Sequence, residues 1–92
     1  MKVRWGEDAI ADLDALFLFV AEDSPAAAKR EVTRVLDAAG NLAAHPALGR
    51  PGRVVGTREL IVPPYIVAYR AKSGAVQILR VLHASRRWPE SI

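Results

Sequence analysis

A histidine and several arginines lie close together in the last third of the chain, where they could act on a phosphate. His83 follows a β-type run of residues, and Arg70 and Arg80 lie on the runs before it. Histidine can serve as a general acid or base, and arginines can hold a phosphate and stabilise charge in a transition state. Tyr65 and Tyr69 could stack on bases or donate a proton. Together these residues could cleave RNA, with Arg70, Arg80 and His83 as the candidate catalytic residues.

The same side chains also have structural explanations. A single histidine at the end of a strand more often forms a hydrogen bond or packs than it catalyses a reaction. Tyr65 and Tyr69 are four residues apart in a strand, so they share a face and are more often core residues than a platform for bases. The sequence shows no metal-ligand spacing, phosphate-binding loop or nucleophile elbow. We therefore expect no metal and no cofactor.

The second half of the chain is basic, which indicates an anionic partner. Residues 1–48 carry a net charge of −3 and residues 49–92 a net charge of +6, within an overall charge of +3. A soluble domain without such a partner can also show this split. The tail after the last strand has two adjacent arginines and a tryptophan, which could instead pack the tail onto the sheet. The residues expected to contact a target are Arg58, Arg86, Arg87 and Trp88.

Length and composition indicate one small cytoplasmic domain spanning residues 1–92. Of these 92 residues 51% are hydrophobic, which is enough for a packed core. The chain has no cysteine, which excludes disulfides and thiolate metal sites and fits a reducing compartment. No apolar run approaches the roughly 20 residues that a membrane-spanning helix needs, so we expect no membrane partner.

A short strand and a helical hairpin are predicted in the first half. Alternation predicts a strand over Lys2–Trp5, and apolar residues at helical spacing predict a helix from about Glu7 to Ala21, with Asp12 solvated. Ser24-Pro25 begins a second helix as cap and first helical residue, and His45-Pro46 ends it. The apolar stripe of the first helix is Ile10, Leu13, Leu16 or Phe17, and Val20; that of the second is Ala28, Val32, Val35, Leu36, Ala39 and Leu42.

Three strands are predicted after a loop from Pro46 to Gly56. They cover about Arg58–Val62, Tyr65–Ala71 and Ala75–Leu82, and a turn containing Gly74 joins the last two. Strict alternation places Arg80 on the otherwise apolar face of the last strand that includes Ile78, at its exposed end. The order β-α-α-β-β-β predicts an α+β fold in which the helical hairpin packs on a small antiparallel sheet.

The chain resembles the RelE/ParE superfamily of toxins from bacterial type II toxin–antitoxin systems. The resemblance covers nearly the whole length and depends on several short motifs in a fixed order. These are Ala9-x-x-Asp12-Leu13, His45-Pro46-x-x-Gly49-Arg50, Gly56-Thr57-Arg58-Glu59-Leu60, Tyr65-x-x-x-Tyr69-Arg70, and Val81-Leu82-His83 leading to Arg86-Arg87-Trp88-Pro89. It implies the same RelE/ParE-like fold that the patterning predicts.

The resemblance also implies a toxin that a cognate antitoxin silences in a hetero-oligomer. In this superfamily the RelE-like branch cleaves mRNA on the ribosome and the ParE-like branch poisons DNA gyrase. RNA-cleaving members commonly have an arginine after the aromatic residue of the middle strand, and here Ile66 follows Tyr65. Arg58-Glu59-Leu60 replaces the paired lysines of the preceding strand. These differences favour a gyrase poison, with the mRNA endoribonuclease and a non-toxic nucleic-acid-binding module as alternatives.

Overall fold

The computed structural model describes residues 1–85, which form a layer of two helices on a five-stranded sheet. The strands are β1 (Lys2–Trp5), β2 (Arg50–Pro51), β3 (Arg58–Val62), β4 (Tyr65–Lys72) and β5 (Ala75–His83), and their spatial order is β1-β5-β4-β3-β2. The helices are α1 (Glu7–Ala21) and α2 (Pro25–Gly40), followed by a 3-10 turn over Asn41–Ala43. The predicted α+β order is confirmed. No helix in this described part is long and apolar enough to cross a membrane.

The sheet is mixed. The predicted antiparallel hairpins β3-β4 and β4-β5 are present, and β1 joins the sheet parallel to β5. The two helices follow β1 directly. They are part of the long connection that a parallel pair of strands requires. β2 lies within the segment predicted as a loop, where Arg50 and Pro51 pair with Glu59 and Arg58. So short a strand leaves no periodicity that a sequence could show.

Local sequence explains where the helices begin. Glu7 and Asp8 lie in the first turn of α1, where negative charge stabilises the helix N-terminus. The Ser24 hydroxyl accepts a hydrogen bond from the N–H of Ala27 at 3.1 Å, and Pro25 follows as the first residue of α2. α2 ends at Gly40, earlier than the predicted end at His45-Pro46, because the 3-10 turn takes over the last part of this segment.

The core lies between the helices and one face of the sheet, which we call the helix face; the other is the far face. The two tyrosines of β4 lie on the helix face, as predicted from their spacing. Most of both helical stripes is buried or half-buried, but Ile10, Phe17 and Leu36 are exposed. The core residues include Ala9, Val35, Ala39, Leu42, Val62, Tyr65, Val67, Tyr69, Val76, Ile78 and Val81.

A β-bulge in β5 changes which face its side chains occupy. Ile78 pairs with Tyr69 and Arg80 pairs with Ala68, so Leu79 is an additional residue between two consecutive pairs. The prediction that Arg80 shares a face with Ile78 is wrong, because one extra residue reverses the alternation. Ile78 belongs to the core under the helices, whereas Arg80 follows its partner Ala68 onto the far face.

Candidate functional site

Arg70 and Arg80 line the same cleft on the far face of the sheet. The cleft has a volume of about 470 Å³, and Lys72 and Asp8 are among the other residues that line it. Arg70 Nε donates a hydrogen bond to the Gln77 side-chain oxygen at 2.8 Å, which fixes the guanidinium against β5. Cationic side chains in its wall make this cleft able to accept an anion.

The guanidinium of Arg80 is held by the carboxylate of Asp12 from α1. Arg80 Nε and Nη2 donate to Asp12 Oδ2 and Oδ1 at 2.8 and 3.0 Å, and the N–H of Val81 donates to Asp12 Oδ2 at 2.9 Å. The two side chains are only 10% and 13% exposed. The expectations of a solvated Asp12 and of an Arg80 at an exposed strand end are therefore wrong. The pairing of β1 with β5 ends at Ile78, so β1 offers no acceptor to the backbone N–H of Val81. Asp12 supplies that acceptor.

His83 lies on the opposite side of the sheet from the two arginines, three residues from Arg80 along β5 and further from Arg70. It pairs with Tyr65 at the opposite end of the β4-β5 hairpin from Arg70, five residues away along β4, or about 17 Å at strand spacing. The His83 and Tyr65 rings meet edge to face on the helix-face side, with centroids 6.1 Å apart. The N–H of Ser85 donates to His83 Nδ1 at 3.2 Å, and the Ser85 hydroxyl lies 2.9 Å from the same nitrogen.

Arg58 is bound to the loop that precedes β2. Its guanidinium donates to the carbonyl oxygens of Gly49 and Ala47 at 2.7 and 3.5 Å. The Tyr69 hydroxyl binds the same loop, accepting from the N–H of Gly49 and donating to the carbonyl of Pro46, both at 2.8 Å. Arg58 thus has a structural role besides its predicted contact with a target.

Glu59 forms a buried ionic cluster that the sequence did not predict. Its side chain is 1% exposed, and its carboxylate lies 3.3 Å from Arg50 Nη2 and 3.8 Å from Arg53 Nε. The N–H of Arg53 also donates to it at 3.0 Å. The position of Glu59 on the far face, under the loop that follows β2, buries its side chain. The cluster fixes this loop over the sheet.

The outer side of α1 leaves large apolar side chains exposed. Leu18 and Phe19 are 68% and 74% exposed. Phe19 and Leu16 also line a groove between α1 and the end of β5, whose other wall includes Tyr65 and His83. A helix that is apolar on several sides normally buries them against a partner. The α1 surface and its groove are therefore suited to bind an apolar segment of another chain.

Tyr65 has an altered protonation equilibrium at this groove. Burial, followed by the nearby charge of Glu31, raises the pKa of the Tyr65 hydroxyl above its ordinary value of 10, and Arg34 opposes this. The Arg34 pKa is raised by its hydrogen bond to Glu31. Tyr65 therefore stays neutral at physiological pH, and its ring packs in the core and against His83.

The structure does not bring the three candidate catalytic residues into one site. Arg70 and Arg80 share the far face, whereas His83 lies on the helix-face side and at the other end of the hairpin from Arg70. Arg86, Arg87 and Trp88 lie outside the described residues. Between residues 1 and 85 no group of three or more histidine or acidic side chains is arranged to hold a metal ion.

Comparison with known proteins relates the chain to bacterial toxins. The model of a family described as ParE toxin of type II toxin–antitoxin system, parDE, matches residues 3–88. A putative toxin, Y4kP, from Sinorhizobium fredii is 44% identical over 91 residues, which cover 97% of this chain and 94% of that protein. Toxin RelE2 from Caulobacter vibrioides is 38% identical over 85 residues, which cover 92% of this chain and 97% of that protein.

Two solved structures share the fold. A chain from the chromosomal ParDE toxin–antitoxin system of P. aeruginosa is similar with a TM-score of 0.81 at 32% identity, covering 90% of this chain and 95% of that one. A chain of the toxin–antitoxin complex RelBE2 from Mycobacterium tuberculosis is similar with a TM-score of 0.68 at 31% identity, covering 89% of this chain and 88% of that one. The similar proteins thus carry names from both branches of the superfamily.

Proposed function

Because the chain belongs to the ParE toxin family of type II toxin–antitoxin systems, we propose that it poisons DNA gyrase and that a cognate antitoxin silences it. The separation of His83 from Arg70 and Arg80 carries this proposal. A nuclease needs its acid or base and its cations within reach of one phosphate. Here the histidine lies on the helix-face side and both arginines lie on the far face, and Arg70 is also at the opposite end of the hairpin. A toxin that acts by binding needs no such convergence.

The centre of the far face supports the same proposal. Ile66, which stands where RNA-cleaving relatives commonly have an arginine, is 3% exposed and pairs with Ile61 and Leu82. Arg80, the nearby cation, is bound to Asp12. A ribonuclease site at this position would therefore lack one arginine and would have to release the other from an ion pair.

Ribosome-dependent cleavage of mRNA is the second candidate function. Arg70 and Arg80 line one cleft together with Lys72, which favours binding of a phosphate group there. In that case His83 would act from a neighbouring position, or the reaction would proceed without it. The two candidate functions predict different effects on a bacterial cell.

Induced expression of the toxin in bacteria distinguishes the two targets. A gyrase poison should cause filamentation, a DNA-damage response and gyrase-linked DNA breaks. Rapid translation arrest, with mRNA cut at ribosome-bound codons, would instead establish the endoribonuclease. The variant His83→Ala gives a second criterion, since loss of a general acid or base slows cleavage about 10²–10⁴-fold. We expect this variant to remain as toxic as the wild type.

Arg86 and Arg87 are proposed to contribute to binding of the target. The double variant Arg86→Ala, Arg87→Ala should reduce toxicity by weakening that contact. We expect this loss of toxicity to occur without loss of the folded protein. Immunoblotting and circular dichroism provide that control. Undiminished toxicity of the double variant would contradict this role.

The exposed apolar surface of α1 supports a bound antitoxin. The resemblance implies a helical, partly acidic antitoxin segment, and Leu18 and Phe19 provide apolar area for it. Co-expression with the product of an adjacent small gene, followed by size-exclusion chromatography, should give one complex. Separate elution of the two proteins at micromolar concentration would exclude that gene product as the antitoxin.

A further inference from the structure

We infer that a patch of four basic side chains on the far face of the sheet binds the phosphate backbone of duplex DNA. The patch consists of Lys2 and Arg4 from β1 and Arg70 and Lys72 from β4, which we call the four-cation patch. It lies at the end of the sheet where β1 begins and β4 ends. The inference adds a site to the proposed toxin and does not depend on gyrase being its target.

Strand register brings these residues together from distant parts of the chain. Lys2 pairs with Ala75, which pairs with Lys72 on the other side; Arg4 pairs with Gln77, which pairs with Arg70. Each pair of cations therefore flanks β5 at about 10 Å, twice the strand spacing. The two rows are two residues apart, or about 7 Å. The four Cα atoms therefore lie at the corners of a rectangle on the sheet.

The side chains of β1 are directed to this face by packing of the intervening residues. Val3 and Trp5 pack against the core on the helix face. Alternation then places Lys2 and Arg4 on the far face, and both are exposed. The hydrogen bond from Arg70 to Gln77 joins two residues of the same row. Because Gln77 is neutral, this bond leaves the positive charge of Arg70 without a counterion.

The patch differs from the other cations of the far face in having no carboxylate partner. Arg50 and Arg53 are bound to Glu59, and Arg80 is bound to Asp12. Among residues 1–85, Lys2, Arg4, Arg70 and Lys72 form no ion pair within 4 Å; Asp8 lines the adjacent cleft but makes none with them either. Cations that lie together on one face without carboxylate partners attract the phosphates of a nucleic acid, whatever its base sequence.

The surroundings of the patch favour a duplex over a single strand. Proteins that bind single strands usually add aromatic rings on which bases stack. In the described strands the aromatic residues Trp5, Tyr65 and Tyr69 all lie on the helix face. Between the cations β5 contributes Ala75, which is buried, and Gln77, which is half-buried. Such a surface suits contact with the phosphates of a duplex without reading its bases.

Fluorescence anisotropy with a labelled duplex of about 20 base pairs tests the inference directly. The toxin is made by cell-free synthesis, without antitoxin or gyrase, and titrated at 50 to 200 mM salt. Each neutralised phosphate contributes about 0.9 to the slope of log K against log salt. The double variant Lys2→Ala, Lys72→Ala should therefore lower the slope by about 1.8 and weaken binding roughly 60-fold at 0.1 M salt if counterion release alone is lost.

The double variant Lys29→Ala, Arg30→Ala is the matched control. It removes the same charge from the exposed side of α2, so it separates a local contact from the effect of net charge. The control should keep a slope within about 0.5 of the wild type. Equal losses in both variants, or no binding by the wild type at 50 mM salt, would overturn the inference. Tighter binding of a single-stranded RNA of the same length would overturn the assignment to duplex DNA. Because gyrase is absent, none of these results depends on the proposed target.

Discussion

Asp12 shows how a single residue can have a role that a helical pattern does not reveal. By periodicity it is a polar residue on the side of α1, and such residues are usually solvated. The carboxylate instead binds a guanidinium and a backbone N–H of β5, 68 and 69 residues further along the chain. Only the early end of β1 and the bulge at Leu79 bring these groups to the same place. Neither feature can be recognised from the local sequence.

Removal of the Asp12 carboxylate should destabilise the protein strongly. Asp12→Ala leaves a nearly buried guanidinium and the Val81 N–H without this acceptor, and such losses cost about 3–5 kcal/mol. Asp14→Ala, at an exposed position of the same helix, should change stability by less than about 0.5 kcal/mol. Urea unfolding followed by circular dichroism measures both variants. Equal midpoints for the two would show that the ion pair contributes nothing to stability.

The raised pKa of Tyr65 predicts a specific sensitivity to alkali. The folded protein holds this proton more tightly than the unfolded chain, so its contribution to stability is complete below about pH 10 and is lost as the pH rises through the folded-state pKa. Tyr65→Phe cannot ionise, so its stability should fall less steeply than that of the wild type above pH 10. Urea midpoints measured from pH 8 to pH 11 test this. Parallel curves over the whole range would contradict the prediction.

Among the helices and strands, the sequence predicts the elements that have a periodic pattern. It does not predict the features that depend on contacts between distant residues. Strand β1 and helix α1 have their predicted bounds, because each has a clear period and Gly6 separates them. Strand β2 lies within a segment predicted as loop, because two residues have no period. The bulge in β5 was missed because strict alternation is the only assumption that a sequence alone permits. In the candidate site, the cluster around Glu59 is not predicted, because it depends on contacts between β3 and the segment containing Arg50 and Arg53.

Substitution of Gly49 and Gly40 by alanine should have opposite effects on stability. A Cβ at Gly49 would lie 2.7 Å from a ring carbon of Tyr69 and 2.8 Å from its hydroxyl, so Gly49→Ala must displace the loop that Tyr69 holds. We expect a loss of about 1–3 kcal/mol, as for overpacking of a core. A Cβ at Gly40, in the last turn of α2, meets nothing within 4 Å. Gly40→Ala should therefore stabilise by up to about 1 kcal/mol. Thermal unfolding of both variants checks the signs.

At the scale of the whole molecule, folding redistributes the charges that the sequence separates. The halves of the chain carry −3 and +6, yet Lys2 and Arg4 from the acidic half join the basic residues of β4 because β1 pairs with β5. The far face thus gains cations from both halves, and the helix layer presents apolar side chains and acidic residues of α1. The two sides of the protein are suited to different partners. An antitoxin on α1 and a nucleic acid on the four-cation patch would not compete for the same residues.

This separation predicts a variant that escapes its antitoxin but keeps its toxicity. Leu18→Ser, Phe19→Ser removes exposed apolar area, so it should weaken the antitoxin complex without emptying the core. Val55→Ser is the control, because Val55 is 99% exposed but lies in the loop between β2 and β3. In cells that express both proteins, the α1 variant should arrest growth at an antitoxin level that still protects cells carrying the control. Full protection against both variants, with equal amounts of each toxin, would place the antitoxin contact elsewhere on the molecule.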